Sequence, residues 1–198
     1  MMISTIAKQR MLFLRTSIIF LALLSYYNEE FRAFSLNLPI EQSLQFSVIG
    51  FVLLIFGCFG RIWASLYIEG NKTKNLITSG PFRMVRNPLY FFSLMVLIGF
   101  CFALKSIFLP IGLILIFVIF HVPTIANEER KLRKIHGKNF DEYVNSTPRL
   151  IPNIMKFKKP VTSDRVNIKI KRINHVLLEV MGYIFLYTLV DFLYFVLN

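Results

Sequence analysis

Five stretches of this chain are almost continuously apolar: residues 11–27, 44–68, 89–104, 106–126 and 176–197. A helix needs about 20 apolar residues to cross the hydrocarbon of a bilayer, and all five runs meet or approach that length. The pattern therefore predicts an all-α, polytopic membrane protein with about five spans and short polar helices between them. Arg61 interrupts the second run, which is expected to surface near it. Little more than Lys105 separates the third run from the fourth. Irregular backbone cannot face lipid, so that pair is expected to form a tight antiparallel hairpin. Most of the polar material lies in 62–87 and 127–174. Residues 128–136 read as a short helix stopped by Gly137, with Lys131, Arg133 and Lys134 in its last turns. Asn139 followed by Glu142 resembles a capping box for a further turn over 140–145, and Pro148 and Pro152 end regular structure. The basic stretch 155–172 reads as a surface linker to the last span.

Composition agrees. Hydrophobic residues make up 55% of the 198 and charged residues 17%, too apolar for a soluble domain of this size. The 21 phenylalanines suit lipid-facing helices. The net charge of +12 changes the picture only through its distribution. Of the 23 basic residues, 21 fall in the N-terminal arm, in 61–86 or in 127–174, all on one side of the predicted spans. Only Arg32 and Lys105 fall opposite. By the positive-inside rule the crowded side is cytosolic, with the N-terminus inside and the C-terminus outside. Topology and attraction to anionic membrane lipids account for the excess charge, and no nucleic-acid partner is expected. Cys58 and Cys101 lie inside apolar runs and read as free thiols, and no metal site is evident. The first run lacks a small-residue cleavage site and reads as a retained span.

Candidate chemistry concentrates at one membrane face. Asn87 before Pro88 marks a helix start, and an anion is favoured at such an end. Arg83, Arg86 and Tyr90 flank it. Glu128 and Glu129 sit where the fourth run ends, about 100° apart on a helix, so only one faces a given site. Thr124 lies one turn before Glu128. Boundary marking explains each of these singly. Glu179 and Asp191 lie near the two ends of the last span, where helix pairing suffices for them. His121 reads as packed, and Gly50, Gly57 and Gly60 would allow close helix contact.

Taken together, Gly80-Pro81-Phe82-Arg83-Met84-Val85-Arg86-Asn87-Pro88-Leu89-Tyr90 resembles the G-x-Y-x-x-x-R-[HN]-P-x-Y signature of the isoprenylcysteine carboxyl methyltransferase and phospholipid methyltransferase superfamily. Glu128-Glu129-Arg130-Lys131-Leu132 with His136-Gly137-Lys138-Asn139-Phe140-Asp141-Glu142-Tyr143 resembles its E-E-x-x-L…[FH]-G-x-x-[FY]-x-x-Y, and Arg149 to Pro152 its closing R-x-x-P. The resemblance covers roughly 60–153. It implies a methyltransferase core over 61–153, spans over 1–60, a basic linker over 154–174 and an added span over 175–198. It implies S-adenosyl-L-methionine as cofactor, bound by Lys74, Asn75, Leu76, Ile77, Phe82, Asn87, Pro88, Leu89 and Tyr90, with Glu128 anchoring its polar part. Arg86, Glu129 and Arg149 are the implied catalytic group, acting on a lipophilic acceptor. Asn87 stands where many members carry His. Thr124 stands at the substrate-binding place where the carboxyl methyltransferases carry an arginine. Carboxyl O-methylation leads, with phospholipid or amine N-methylation as the alternative. An NADPH-dependent membrane reductase of the steroid reductase type, which shares a similar R-H-P-x-Y segment, is the alternative from another class.

Overall fold

The computed structural model describes residues 38–69, 76–105, 108–156 and 170–197. The span expected over 11–27 and most of the linker at 155–172 lie outside the described residues. Those described are all-α: α1 (Ile40–Glu69), α2 (Pro81–Met84), α3 (Pro88–Leu104), α4 (Phe108–His136), α5 (Lys138–Ser146), a 3-10 turn at Ile154–Lys156 and α6 (Ile170–Leu197). Three of them hold apolar stretches long enough to cross a membrane: Ile40–Ile68, Pro110–His136 and Asn174–Val196. The shorter apolar helix Pro88–Leu104 joins them. The chain is thus an all-α, polytopic membrane protein.

Two expectations fail for one reason. α1 does not break at Arg61 but continues as one helix to Glu69. Likewise 128–136 is no separate helix but the end of α4, which runs 29 residues. At 1.5 Å per residue α4 is about 43 Å long, against roughly 30 Å of hydrocarbon. A charge inside a run therefore marks a depth or a partner, not a helix end. For Arg61 it is a partner: 7% exposed, it pairs with Glu179 at 2.9 Å and bonds the Ser93 hydroxyl. Pro123 sits within α4, and the Thr124 hydroxyl returns a bond to the Phe120 carbonyl at 2.7 Å.

α1 and α3 pack backbone to backbone. A Cβ at Gly50 would stand 2.8 Å from the Gly99 carbonyl, and one at Gly99 would stand 2.7 Å from the Gly50 carbonyl. Lipid tails are as apolar as Leu, so close packing of small residues, not water exclusion, drives such contacts. Leu54, Cys58, Val96, Phe100 and Ala103 then meet Tyr183, Tyr187 and Val190 of α6 in one core. Leu97 and Cys101 meet Leu113 and Phe117 of α4 in a second.

Polar pins hold α6 at two heights. At one, Arg61 bridges Ser93 and Glu179. At the other, Lys105, fully buried at the hairpin turn, pairs with Asp191 at 2.8 Å and lies over the rings of Tyr194 and Phe195. Ser47 donates to the same Asp191 oxygen at 2.7 Å, and the Tyr187 hydroxyl donates to the Ser47 carbonyl at 2.6 Å. The pins are about 21 Å apart along α1 and about 18 Å apart along α6, as two antiparallel helices require. Glu179 and Asp191 are therefore helix-pairing charges.

Candidate functional site

The site forms where α2, α3 and α4 meet the segment after α5. Gly80, at φ 59°, opens α2 in a conformation that a side chain resists. The chain then turns through Val85, Arg86 and Asn87 into α3, with Pro88 at its first position. Pro88 supplies the fixed φ and needs no N–H there. Asn87 holds the N-cap position, yet its side chain makes no capping bond. Its amide donates instead to Glu129 Oε1 and to the Arg149 carbonyl, each at 3.0 Å. The capping role expected of Asn87 is thus taken by its backbone carbonyl, which accepts from Tyr90 and Phe91 at 3.1 and 3.2 Å.

The chain after α5 lies across this turn. The Arg86 N–H donates to the Pro148 carbonyl and the Asn153 N–H to the Met84 carbonyl, both at 2.9 Å. Arg149 is thereby brought over Glu129, its guanidinium 3.2 Å from Oε2. Arg86 approaches Oε1 at 3.8 Å, an ion pair but too long for a hydrogen bond. Arg86 and Glu129 are largely buried, at 12% and 16% exposure, while Arg149 is half-exposed. The Arg86 Nε is buried without a hydrogen-bond partner among the described residues. Two guanidiniums thus share one carboxylate, leaving one net positive charge at the start of α3.

The structure brings Arg86, Asn87, Glu129 and Arg149 into one cluster. Of the two adjacent carboxylates, Glu129 closes on the turn, and Glu128 lies about 100° round the helix. Phe82 is half-buried and Pro88 buried. Tyr90 packs edge-on against His121, which stacks on Phe117 at 4.0 Å between ring centroids. Leu76 and Ile77 are partly buried on the approach to α2, Leu89 is partly buried in the first turn of α3, and Thr124 sits one turn above Glu128 on α4. Lys74 and Asn75 lie outside the described residues.

Sequence reasoning passed over Tyr143. Its hydroxyl donates to the Phe82 carbonyl at 2.6 Å, tying α5 to α2. Burial pushes that hydroxyl's pKa above its ordinary value; nearby Arg86 lowers it and Glu129 raises it further. The signal was its place in the quoted motif. The capping box expected at Asn139 is absent: α5 starts at Lys138 with Gly137 at its N-cap, φ 51°, and no side-chain cap bond. Gly137 remains the stop of α4, its N–H bonded to the Arg133 carbonyl at 2.9 Å.

Comparison with known proteins bears on this cluster. Residues 44–139 match the phospholipid methyltransferase family, consistent with the superfamily its motifs resemble. Over 114 residues the chain is 32% identical to the nickel-cobalt-cadmium resistance protein NccN of Alcaligenes xylosoxydans xylosoxydans, covering 58% of this chain and 53% of that protein. Over 110 residues it is 31% identical to the cobalt-zinc-cadmium resistance protein CzcN of Cupriavidus metallidurans, covering 56% of this chain and 50% of that protein. The chain spans about half the length of these curated relatives. No solved structure matches it.

Proposed function

We propose, from a segment that matches the phospholipid methyltransferase family, that this chain is an integral membrane methyltransferase using S-adenosyl-L-methionine on a lipophilic acceptor. The observation that carries it is the Arg86–Glu129–Arg149 cluster, pinned by Asn87 at the start of α3. The donor set fits the cofactor's chemistry. The buried, unpartnered Arg86 Nε and the surplus positive charge suit an α-carboxylate. Glu128 suits the ammonium and sulfonium. When bound, the cofactor supplies an electrophilic methyl group.

In-line methyl transfer asks the protein for alignment and a desolvated nucleophile. Glu129, engaged by two arginines and an amide, orients Arg86 and Arg149. Arg149, from the half-exposed side, holds an anionic acceptor at the mouth of the helices. Thr124, one turn deeper on α4, lines the apolar approach. An acceptor carboxylate is already ionised at neutral pH, so no general base is required, and carboxyl O-methylation is the leading assignment. The family match favours a second acceptor, a phospholipid headgroup amine, whose phosphate would meet the same Arg149. The motif face is cytosolic in this proposal. A tie to metal resistance, as in the relatives' names, would run through modified membrane lipid. Among the described residues no group of three or more His, Cys, Asp or Glu side chains could hold a metal ion.

Isothermal titration of the purified chain with S-adenosylhomocysteine tests the cofactor. Binding that Glu128→Gln weakens by tenfold or more, roughly the worth of one charge-assisted bond, supports it. No binding in detergent or nanodiscs, with binding of NADPH in its place, would overturn it in favour of a reductase. Methyl-labelled lipid then separates the acceptors: a methyl ester releases methanol in mild base, and an N-methyl group does not.

A further inference from the structure

On the far side of α4 from Glu129 lies an open concavity of about 570 Å³, lined by Asn127, Arg130, Lys131, Arg133 and Lys134. Asn127, Arg130, Lys131 and Lys134 follow the i, i+3, i+4, i+7 spacing of one helix face. Glu129 points about 150° away from the middle of that face at 100° per residue, and it is engaged by Arg86 and Arg149. Arg133, at the edge, is neutralised by Asp141 at 2.7 Å. Among the described residues no carboxylate forms an ion pair with Arg130, Lys131 or Lys134, and all three are exposed. The same arc runs back along α4 through Pro123, Phe120 and Ile119, also exposed, the last two at 48% and 63%. One continuous helix face thus changes from exposed apolar to exposed cationic. The change falls at Arg130, about 33 Å from the start of the helix, just beyond a hydrocarbon thickness of roughly 30 Å.

We propose that Arg130, Lys131 and Lys134 form a docking site for the phosphate of an anionic phospholipid whose acyl chains lie along Ile119, Phe120 and Pro123. Three cations lining one open concavity match a phosphate, with Asn127 as a neutral donor beside them. The continuous apolar stripe selects a lipid over a soluble phosphate. The site is separate from the Glu129 cluster and does not depend on methyl transfer.

The test is lipid retention by the purified full chain in mixed micelles, read by native mass spectrometry. Phosphatidylglycerol is the probe and phosphatidylcholine the comparison. Wild type is expected to retain phosphatidylglycerol preferentially. Each cation removed by Arg130→Gln, Lys131→Gln or Lys134→Gln should weaken retention about fivefold, and the triple variant should abolish the preference. Arg133→Gln/Asp141→Asn, which removes a neutral pair, should leave it within twofold. The substituted side chains are exposed, so folding should persist, and the single variants give the answer should the triple misfold. A triple variant or set of singles retaining phosphatidylglycerol like wild type would overturn the site. Displacement of the lipid by inorganic phosphate at equal concentration would overturn its assignment to a lipid.

Discussion

Glu129→Gln tests whether this carboxylate holds the turn and the crossing segment together. The substitution keeps the size and one acceptor oxygen but removes the charge that Asn87, Arg86 and Arg149 share. A hydrogen bond to a charged group is worth about 1.5–3 kcal/mol and a neutral one about 1 kcal/mol, so the Asn87 bond loses about 1 kcal/mol. The Arg149 pair is half-exposed and adds at most about 1 kcal/mol after screening. The sum, about 2 kcal/mol, is roughly a 30-fold rise in local opening. Amide hydrogen exchange reads it directly at Arg86 and Asn153, whose N–H groups bond Pro148 and Met84 across the junction. Both amides should exchange roughly 30-fold faster, with Phe100 in the middle of α3 unchanged. Glu128→Gln should leave both within threefold. Unchanged exchange at Arg86 and Asn153 in the Glu129 variant would refute the reasoning, because Glu129 would then hold nothing in place.

Three further outcomes follow from the packing. Asp191→Ala strands the buried Lys105 charge and should cost about 3–5 kcal/mol in detergent unfolding, with most of it recovered by Lys105→Met/Asp191→Leu; a single variant as stable as wild type contradicts the pin. Gly99→Leu should destabilise by about 1–3 kcal/mol through collision with the Gly50 carbonyl and Leu54, whereas Gly112→Leu, with open space around it, should be neutral in the same assay. Tyr143→Phe leaves the Phe82 carbonyl unmatched and should cost about 1–3 kcal/mol in denaturation. Because burial raises the Tyr143 pKa above 10.0, its contribution is complete below pH 10 and lost as pH rises toward the folded-state value. Wild type should therefore show an alkaline loss of stability that the Phe variant lacks.

The amino-acid sequence determined what is local. Runs of apolar residues must be helices in lipid, so the segments behind α1, α3, α4 and α6 were legible, as was the hairpin at Lys105. Gly137 and Pro88 fixed a stop and a start because backbone geometry depends on those residues alone. The order of the Arg86-Asn87-Pro88, Glu128-Glu129 and Arg149 motifs pointed to a family and to one end of the helices. What the sequence left open was every choice that depends on a distant partner. Arg61 and a surface arginine look alike until Glu179 arrives from α6, 118 residues away. The Asn87 amide could cap its own helix or reach across to Glu129, and nothing within one turn decides between them. Two adjacent glutamates are equivalent in sequence, and only the crossing segment at Pro148–Asn153, held by hydrogen bonds to Arg86 and Met84, selects Glu129. Helix formation is settled by neighbours along the chain, whereas charge pairing is settled by which helices the close-packed glycines and buried polar pins bring together. For that reason the tertiary structure alone could turn a row of boundary charges into one cluster.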